Sequence, residues 1–452
     1  MSNLSSGVPN PTSASGSVPP TVAPGATNWV VGPPSVPAPP GAVPVVPTPA
    51  PAVPAVPSLP SLPVKYLHWI AFAIGVLNLV LYLTSGGKAP QVPDVPVVPA
   101  MQTPPEQAPP PPNKLAMGWV NDPEARETSF VRMSPNPFAQ TSAGKAVMGD
   151  IPDTFLWRAV RKACGKDPLA KWYPNLNQLD VGCCPGTGWA HTVDASAASQ
   201  TIVKGDTFAL FSPEVIYAGS RVTIGKGQIR GDGSVGAWCR EWVSTYGVAP
   251  MAKYQSADLT TFDPHRARTW GAPRAGVPAD IVAVAKQHPC GGTAQVSTWA
   301  DVQKSIAQGY AVAVCSDVGF NAPNGDIGVR DANGFIAPRG SWPHCMSIIG
   351  IRGGDKPGGF ILNSWGDDAM KGPVWPDDAP PAGFWVDSNT IERMVSQGDS
   401  FAVATVAGFE ARPLDWFTSL QGRGDTYVRR PSTWDLLTRT GGLCDAIALL
   451  AH

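Results

Sequence analysis

Chemistry on an amide bond can be built around a thiol, and one stretch of this 452-residue chain reads that way: Asn177-Gln178-Leu179-Asp180-Val181-Gly182-Cys183-Cys184-Pro185-Gly186-Thr187-Gly188-Trp189-Ala190-His191. A thiol hydrolase needs a reactive cysteine, a histidine to exchange its proton, a polar group to orient that histidine, and donors for the oxyanion. Cys184 is followed by Pro185, a residue favoured at the first position of a helix. The free N–H groups and dipole at such a start favour a thiolate. Gln178 lies six residues earlier, with Gly182 to turn the chain, so its amide can reach back toward an oxyanion at the thiol. Downstream come Trp342-Pro343-His344-Cys345 and Phe360-Ile361-Leu362-Asn363-Ser364-Trp365-Gly366. A histidine entering one strand and an asparagine leaving its hairpin partner sit side by side. Asn363 then orients one imidazole nitrogen while the other faces Cys184, and Trp365 covers that bond from water.

The other histidines fit the role less well. His191 lies two turns beyond Cys184 on the same expected helix, too far to act as its base. His265 and His288 fall in loops with no orienting partner nearby in sequence. The eight cysteines form no CxxC pair, and no four ligands have the spacing of a zinc site, so neither metal nor cofactor is expected. Cys164, Cys239 and Cys315 read as small core residues. Cys183 is either core or a second thiol near the site. An even cysteine count permits disulfides without arguing for them.

The elements that must position these groups are partly legible. Thr298 with Asp301 forms a capping box, predicting a helix over 298–308 that stops at Gly309. Tyr310–Val314 reads as a buried strand, and 234–246 as a helix stopped by Gly247. Ser347–Ile351 and Phe360–Leu362 read as strands of one hairpin, turned through Gly353-Gly354 and Gly358-Gly359.

At these residues the chain resembles the papain-like cysteine peptidases. The order Gln, Cys, His, Asn is that family's, and Asn363-Ser364-Trp365-Gly366 is the most specific match. The resemblance spans roughly residues 150–410. It implies an α+β, two-lobed domain, a helical lobe with Cys184 facing an antiparallel β lobe with His344 and Asn363. It implies Cys184 as nucleophile, His344 as acid and base, Asn363 as its orienter, and Gln178 as oxyanion donor. Gly231, Asp232 and Gly233 fall where the family places its substrate wall, and the substrate would be a peptide or protein. Pro185, not the family's usual Trp, follows Cys184. Aligning Trp189-Ala190 on that Trp instead puts Gly188 at the nucleophile's place, which leaves open an inactive relative serving as a surface or particle component. No long inhibitory propeptide pattern is present between Lys114 and Asp150.

Composition divides the chain. Residues 1–113 hold 28 of the 51 prolines and four charged residues, Lys65, Lys88, Asp94 and Glu106. The tail over 1–64 is uncharged and Pro/Ala/Val-rich, too short of apolar pattern to build a core. Tyr66–Leu83 is an uncharged, largely apolar run of about 27 Å as a helix, with aromatic residues near its ends. It is expected to be a single membrane span within 65–85, followed by a Pro-rich linker over 86–113. Flanking lysines leave its orientation undetermined. The domain proper is placed at 114–410, with a C-terminal extension over 411–452. The balance of 33 basic and 34 acidic residues, net charge −1, carries no electrostatic footprint for nucleic acid. Substrate preference, control of activity and oligomeric state are not readable.

Overall fold

The computed structural model describes residues 116–405 and 408–421. The tail, the Tyr66–Leu83 span, the linker over 86–113 and residues 422–452 lie outside the described residues. Among the described residues, no helix is long and apolar enough to cross a membrane.

Helices dominate the first half: α1 Pro123–Arg132, α2 Leu156–Ala163, α3 Cys184–Lys204 and α4 Gly236–Thr245. The second half carries β1 Gly292–Gln295, α5 Trp299–Ala307, β2 Val312–Val318, β3 Ser341–Arg352, β4 Gly358–Leu362, β5 Gly383–Asp387, α6 Ser388–Val395 and β6 Phe401–Ala404. The strands form one sheet in the order β1-β6-β2-β3-β4-β5, with antiparallel neighbours throughout. Two-residue strands at Asn136–Pro137 and Thr154–Phe155 add to β1 and β3.

The sheet is buried on both faces, which explains why β2 reads as a nearly continuous apolar run rather than an alternation. Val312 and Val314 join one core, with Trp157, Phe360 and Trp385. Ala313 and Cys315, pointing the other way as strand periodicity requires, join a second core with Trp189, Trp238 and Trp242. In β6, Ala402 and Ala404 go to the first core while Phe401 and Val403 go to the second.

Helix α3 is buried along most of its length, and its small residues make that possible. A Cβ on Gly186 would stand 2.6 Å from the Pro213 carbonyl, and one on Gly188 would stand 2.8 Å from the Cys345 carbonyl. Helix and strand β3 therefore run in backbone contact, and Thr192 Oγ1 meets Ser347 Oγ at 2.8 Å further along. The capping box of α5 is made from both sides, and Gly309 leaves the helix end at φ +81°. The strand expected at Tyr310–Val314 lies two residues later, at Val312–Val318.

One buried ion cluster ties α2 to the loop before β5. Asp378 accepts from Trp157 Nε1 at 2.9 Å and from both nitrogens of the Arg158 fork at 2.8 Å. Fully buried Arg161 reaches the same carboxylate and the Asp378 carbonyl. Packing continues past residue 410. Phe417 and Leu420 are buried in the first core, and the Arg412 guanidinium bonds Gln308 and Gln200.

Candidate active site

Cys184 is the first residue of α3, and no side chain caps the helix start at Cys183. Strand β3 crosses this start, so the backbone N–H of Cys345 donates to Cys184 Sγ at 3.4 Å. His344, the residue before, sits inside the strand rather than at its entrance. Its Nε2 bonds Asn363 Oδ1 at 2.8 Å, and its Nδ1 makes no hydrogen bond. Asn363 follows directly on β4, the hairpin partner of β3. The pairing of Ser347 with Leu362, continued outward, sets His344 opposite Trp365, and the two rings stack at 4.7 Å between centroids.

Ser364 joins these pieces. Its hydroxyl donates to Gln178 Oε1 at 2.6 Å and accepts from Thr187 Oγ1 at 2.8 Å, while its N–H donates to Asn363 Oδ1 at 2.7 Å. One small residue therefore fixes Gln178, Asn363 and the first turn of α3 relative to one another. Its hydroxyl role needs the full hairpin register to be seen, and sequence reasoning passed over it.

Gln178 is held differently from a free oxyanion donor. Its Nε2 donates to two carbonyls, Val181 and Ala116, each at 2.9 Å. The Ala116 carbonyl also accepts from Trp365 Nε1 at 3.1 Å. It belongs to a segment, residues 116–120, that lies across the thiol. The Trp119 N–H donates to the Pro343 carbonyl at 3.0 Å, and the Val120 N–H to the Ser234 carbonyl at 2.9 Å. The Ser234 N–H returns to the Gly118 carbonyl at 2.8 Å, making a parallel bridge. The Gly118 N–H also acts on the Cys184 thiol, favouring its ionised form. Only glycine fits there, because a Cβ on Gly118 would stand 1.8 Å from the Gly182 carbonyl oxygen. Trp119 is anchored beyond, its Nε1 on Asp399 Oδ2 at 2.8 Å.

The expected wall residues are placed around this segment unequally. Gly233 abuts it, since a Cβ there would stand 2.7 Å from the Gly118 carbonyl. Asp232 instead bonds the Gly182 N–H and the Arg268 guanidinium, and the Gly231 carbonyl accepts from Arg221. The residue that pairs by backbone is Ser234, one position further on.

With the segment in place, Cys184 and His344 are both 0% exposed. Burial pushes the Cys184 thiol well above its ordinary range. The neighbouring Cys345 adds to this, and the Cys345 and Gly118 N–H groups only partly offset it. Burial likewise pulls the His344 imidazole down to about 4, against the opposing Asn363 hydrogen bond. The covered pair is thus neutral thiol and neutral imidazole. The helix start favours a thiolate, but in a dry site desolvation outweighs that preference. Asp399 is raised to about 6 by burial, its bonds from Trp119 and Gly236 opposing.

No protein-family model and no curated protein matches the chain. Among solved structures it is similar to xylellain, a cysteine protease from Xylella fastidiosa, with 16% identity and a TM-score of 0.44 over 65% of this chain and 97% of that one. It is also similar to the proform of Amb a 11, a cysteine protease and ragweed pollen allergen, with 16% identity and a TM-score of 0.40 over 64% of this chain and 75% of that one. A third is procathepsin B S9 from Trypanosoma congolense, with 12% identity and a TM-score of 0.39 over 64% and 86%. All three are papain-like cysteine proteases, and what the chain shares with them is a divergent likeness at 12–16% identity.

Proposed function

We propose that residues 114–410 act as a papain-like cysteine peptidase, held in a covered form by residues 116–120 and carried on a single-pass anchor at Tyr66–Leu83. The observation that carries the catalytic reading is the crossing of β3 over the start of α3. It sets the Cys345 N–H on Cys184 Sγ while the preceding residue, His344, is oriented by Asn363. In the proposed reaction Cys184 gives its proton to His344 Nδ1 and attacks the amide carbon. The developing oxyanion takes the Gln178 Nε2 donor that now serves the Ala116 carbonyl. His344 then protonates the leaving amine, and water hydrolyses the acyl-enzyme.

The covering segment supports a groove that takes an extended chain. Its backbone pairs with Ser234 on one side and Pro343 on the other, and Trp119 enters a buried pocket.

A second reading, a papain-fold binding or structural protein without catalysis, is favoured by one observation. Trp119 and Asp399 build the segment into the core, as a permanent element would be. Hydrolysis of unstructured protein by the full chain, compared with Cys184→Ala, separates the two. Activity lost in the variant supports the peptidase. No activity before or after limited proteolysis ahead of residue 121 supports the inactive reading.

A further inference from the structure

Beneath the Cys184 thiol lies a second pair of thiols, independent of the peptidase reading. Cys315 in β2 and Cys345 in β3 are direct partners in the antiparallel register. Neither spends its N–H on the other strand. The Cys345 N–H goes to Cys184 Sγ at 3.4 Å and the Cys315 N–H to Ser400 Oγ at 3.4 Å. They are therefore a non-hydrogen-bonded pair, the kind whose facing Cα atoms approach to about 4.5 Å. A disulfide bridges Cα separations from about 4.4 to 6.8 Å.

Both side chains turn toward the core that holds α3 and α4, where each is 0% exposed, and their sulfurs stand 2.7 Å apart. Gly236 closes the space behind: a Cβ there would stand 2.8 Å from Cys315 Sγ. The strand register, the N–H directions and the sulfur contact agree on one pairing. Cys184 and Cys239 share the same core, yet among the described hydrogen bonds the sulfur-to-sulfur contact is that of Cys315 and Cys345.

We propose that Cys315 and Cys345 are a modification site that closes to a cross-strand disulfide on exposure to a peroxide. Two S–H bonds break and one S–S bond forms. The two electrons and two protons reduce the O–O bond of hydrogen peroxide, the peroxide used in the test, to two molecules of water. The sulfurs move by under roughly 1 Å to reach bonding distance, so the sheet need not rearrange. The bond ties β3 to β2 beside His344, at the residue whose N–H holds Cys184. It also consumes the thiol nearest in sequence to that histidine, leaving Cys184 reduced.

The test uses the full chain, reduced or treated with a small excess of hydrogen peroxide. Free thiols are then blocked with iodoacetamide in denaturant, and peptides are mapped by mass spectrometry without reduction. The expected result is a dominant peptide pair joining Cys315 to Cys345, reversed by dithiothreitol, with Cys184 still alkylated. Cys315→Ala should abolish the pair without creating a new one. If that variant does not fold, the map of the unaltered chain decides alone. Alkylation of both Cys315 and Cys345 after peroxide would overturn the proposal, as would a Cys184–Cys345 or Cys239–Cys315 link.

Discussion

Removing the Trp119 side chain tests whether residues 116–120 cover Cys184 as a separable strap. The indole is 3% exposed and its Nε1 bonds Asp399. Truncating a buried Trp to Ala typically costs about 3–5 kcal/mol. The remaining attachments of the segment are a few backbone and side-chain hydrogen bonds at Ala116, Gly118, Trp119 and Val120, each with a net worth of about 1 kcal/mol. The indole is therefore the largest single contribution holding the segment down. If its loss falls on the docked segment alone, about 3 kcal/mol raises the uncovered fraction roughly 100-fold. The assay is the rate of iodoacetamide alkylation at Cys184, read by peptide mapping at pH 8, with Cys183, Cys239 and Cys290 as buried references in the same chain. Trp119→Ala should accelerate Cys184 by about 100-fold and leave the references slow. Equal acceleration at every cysteine would mean global loosening, and no acceleration would mean that the segment does not control access. Either result refutes the argument.

Other outcomes follow from the same geometry. His344→Ala should lower turnover nearly as far as loss of the nucleophile, roughly 10⁴-fold, whereas Asn363→Ala, which only frees the ring, should lower it much less; steady-state kinetics on a peptide substrate reads the difference. Asp399 binds its proton more tightly folded than unfolded, so its contribution to stability is full below about pH 4 and is lost as the pH rises through about 6. The loss amounts to about 3 kcal/mol. Burial of His344 acts in the opposite sense, with stability lost as the pH falls below its ordinary range, so the Asp399 part is read as the difference between denaturation midpoints of the parent and Asp399→Asn across pH 4–8. That difference should grow in favour of the variant as the pH rises. Asp378→Ala leaves Arg161 buried without its carboxylate and should cost about 3–5 kcal/mol of unfolding free energy in urea titration.

What could be read in the sequence was local. The α5 capping box needs only Thr298 and Asp301, and Gly309 ends that helix by its own conformational freedom. The hairpin of β3 and β4 was legible from two apolar runs and the glycines between them, which brought His344 and Asn363 together on paper. The covering segment carried no such signal. Ala116–Val120 takes its conformation from Gln178, Ser234, Pro343 and Trp365, partners 62 to 249 residues away, so no window around it encodes the pairing. Which residue of the 231–234 stretch pairs by backbone was hidden for the same reason, because the register that selects Ser234 over Gly233 belongs to the segment opposite. The expected thiolate character of Cys184 rested on the helix start and on pairing with the His344 imidazole. Desolvation by the burial of the folded site, invisible locally, reverses it.

Which sulfur reacts with an electrophile that mimics a peptide tests the Cys184 site most directly. A peptide carrying a reactive ketone or vinyl sulfone, given to the full chain after proteolysis ahead of residue 121, should modify Cys184 and leave Cys183 unmodified. His344→Ala should suppress that labelling. Modification of Cys183 in place of Cys184, or labelling of Cys184 unaffected by His344→Ala, would contradict the site as described.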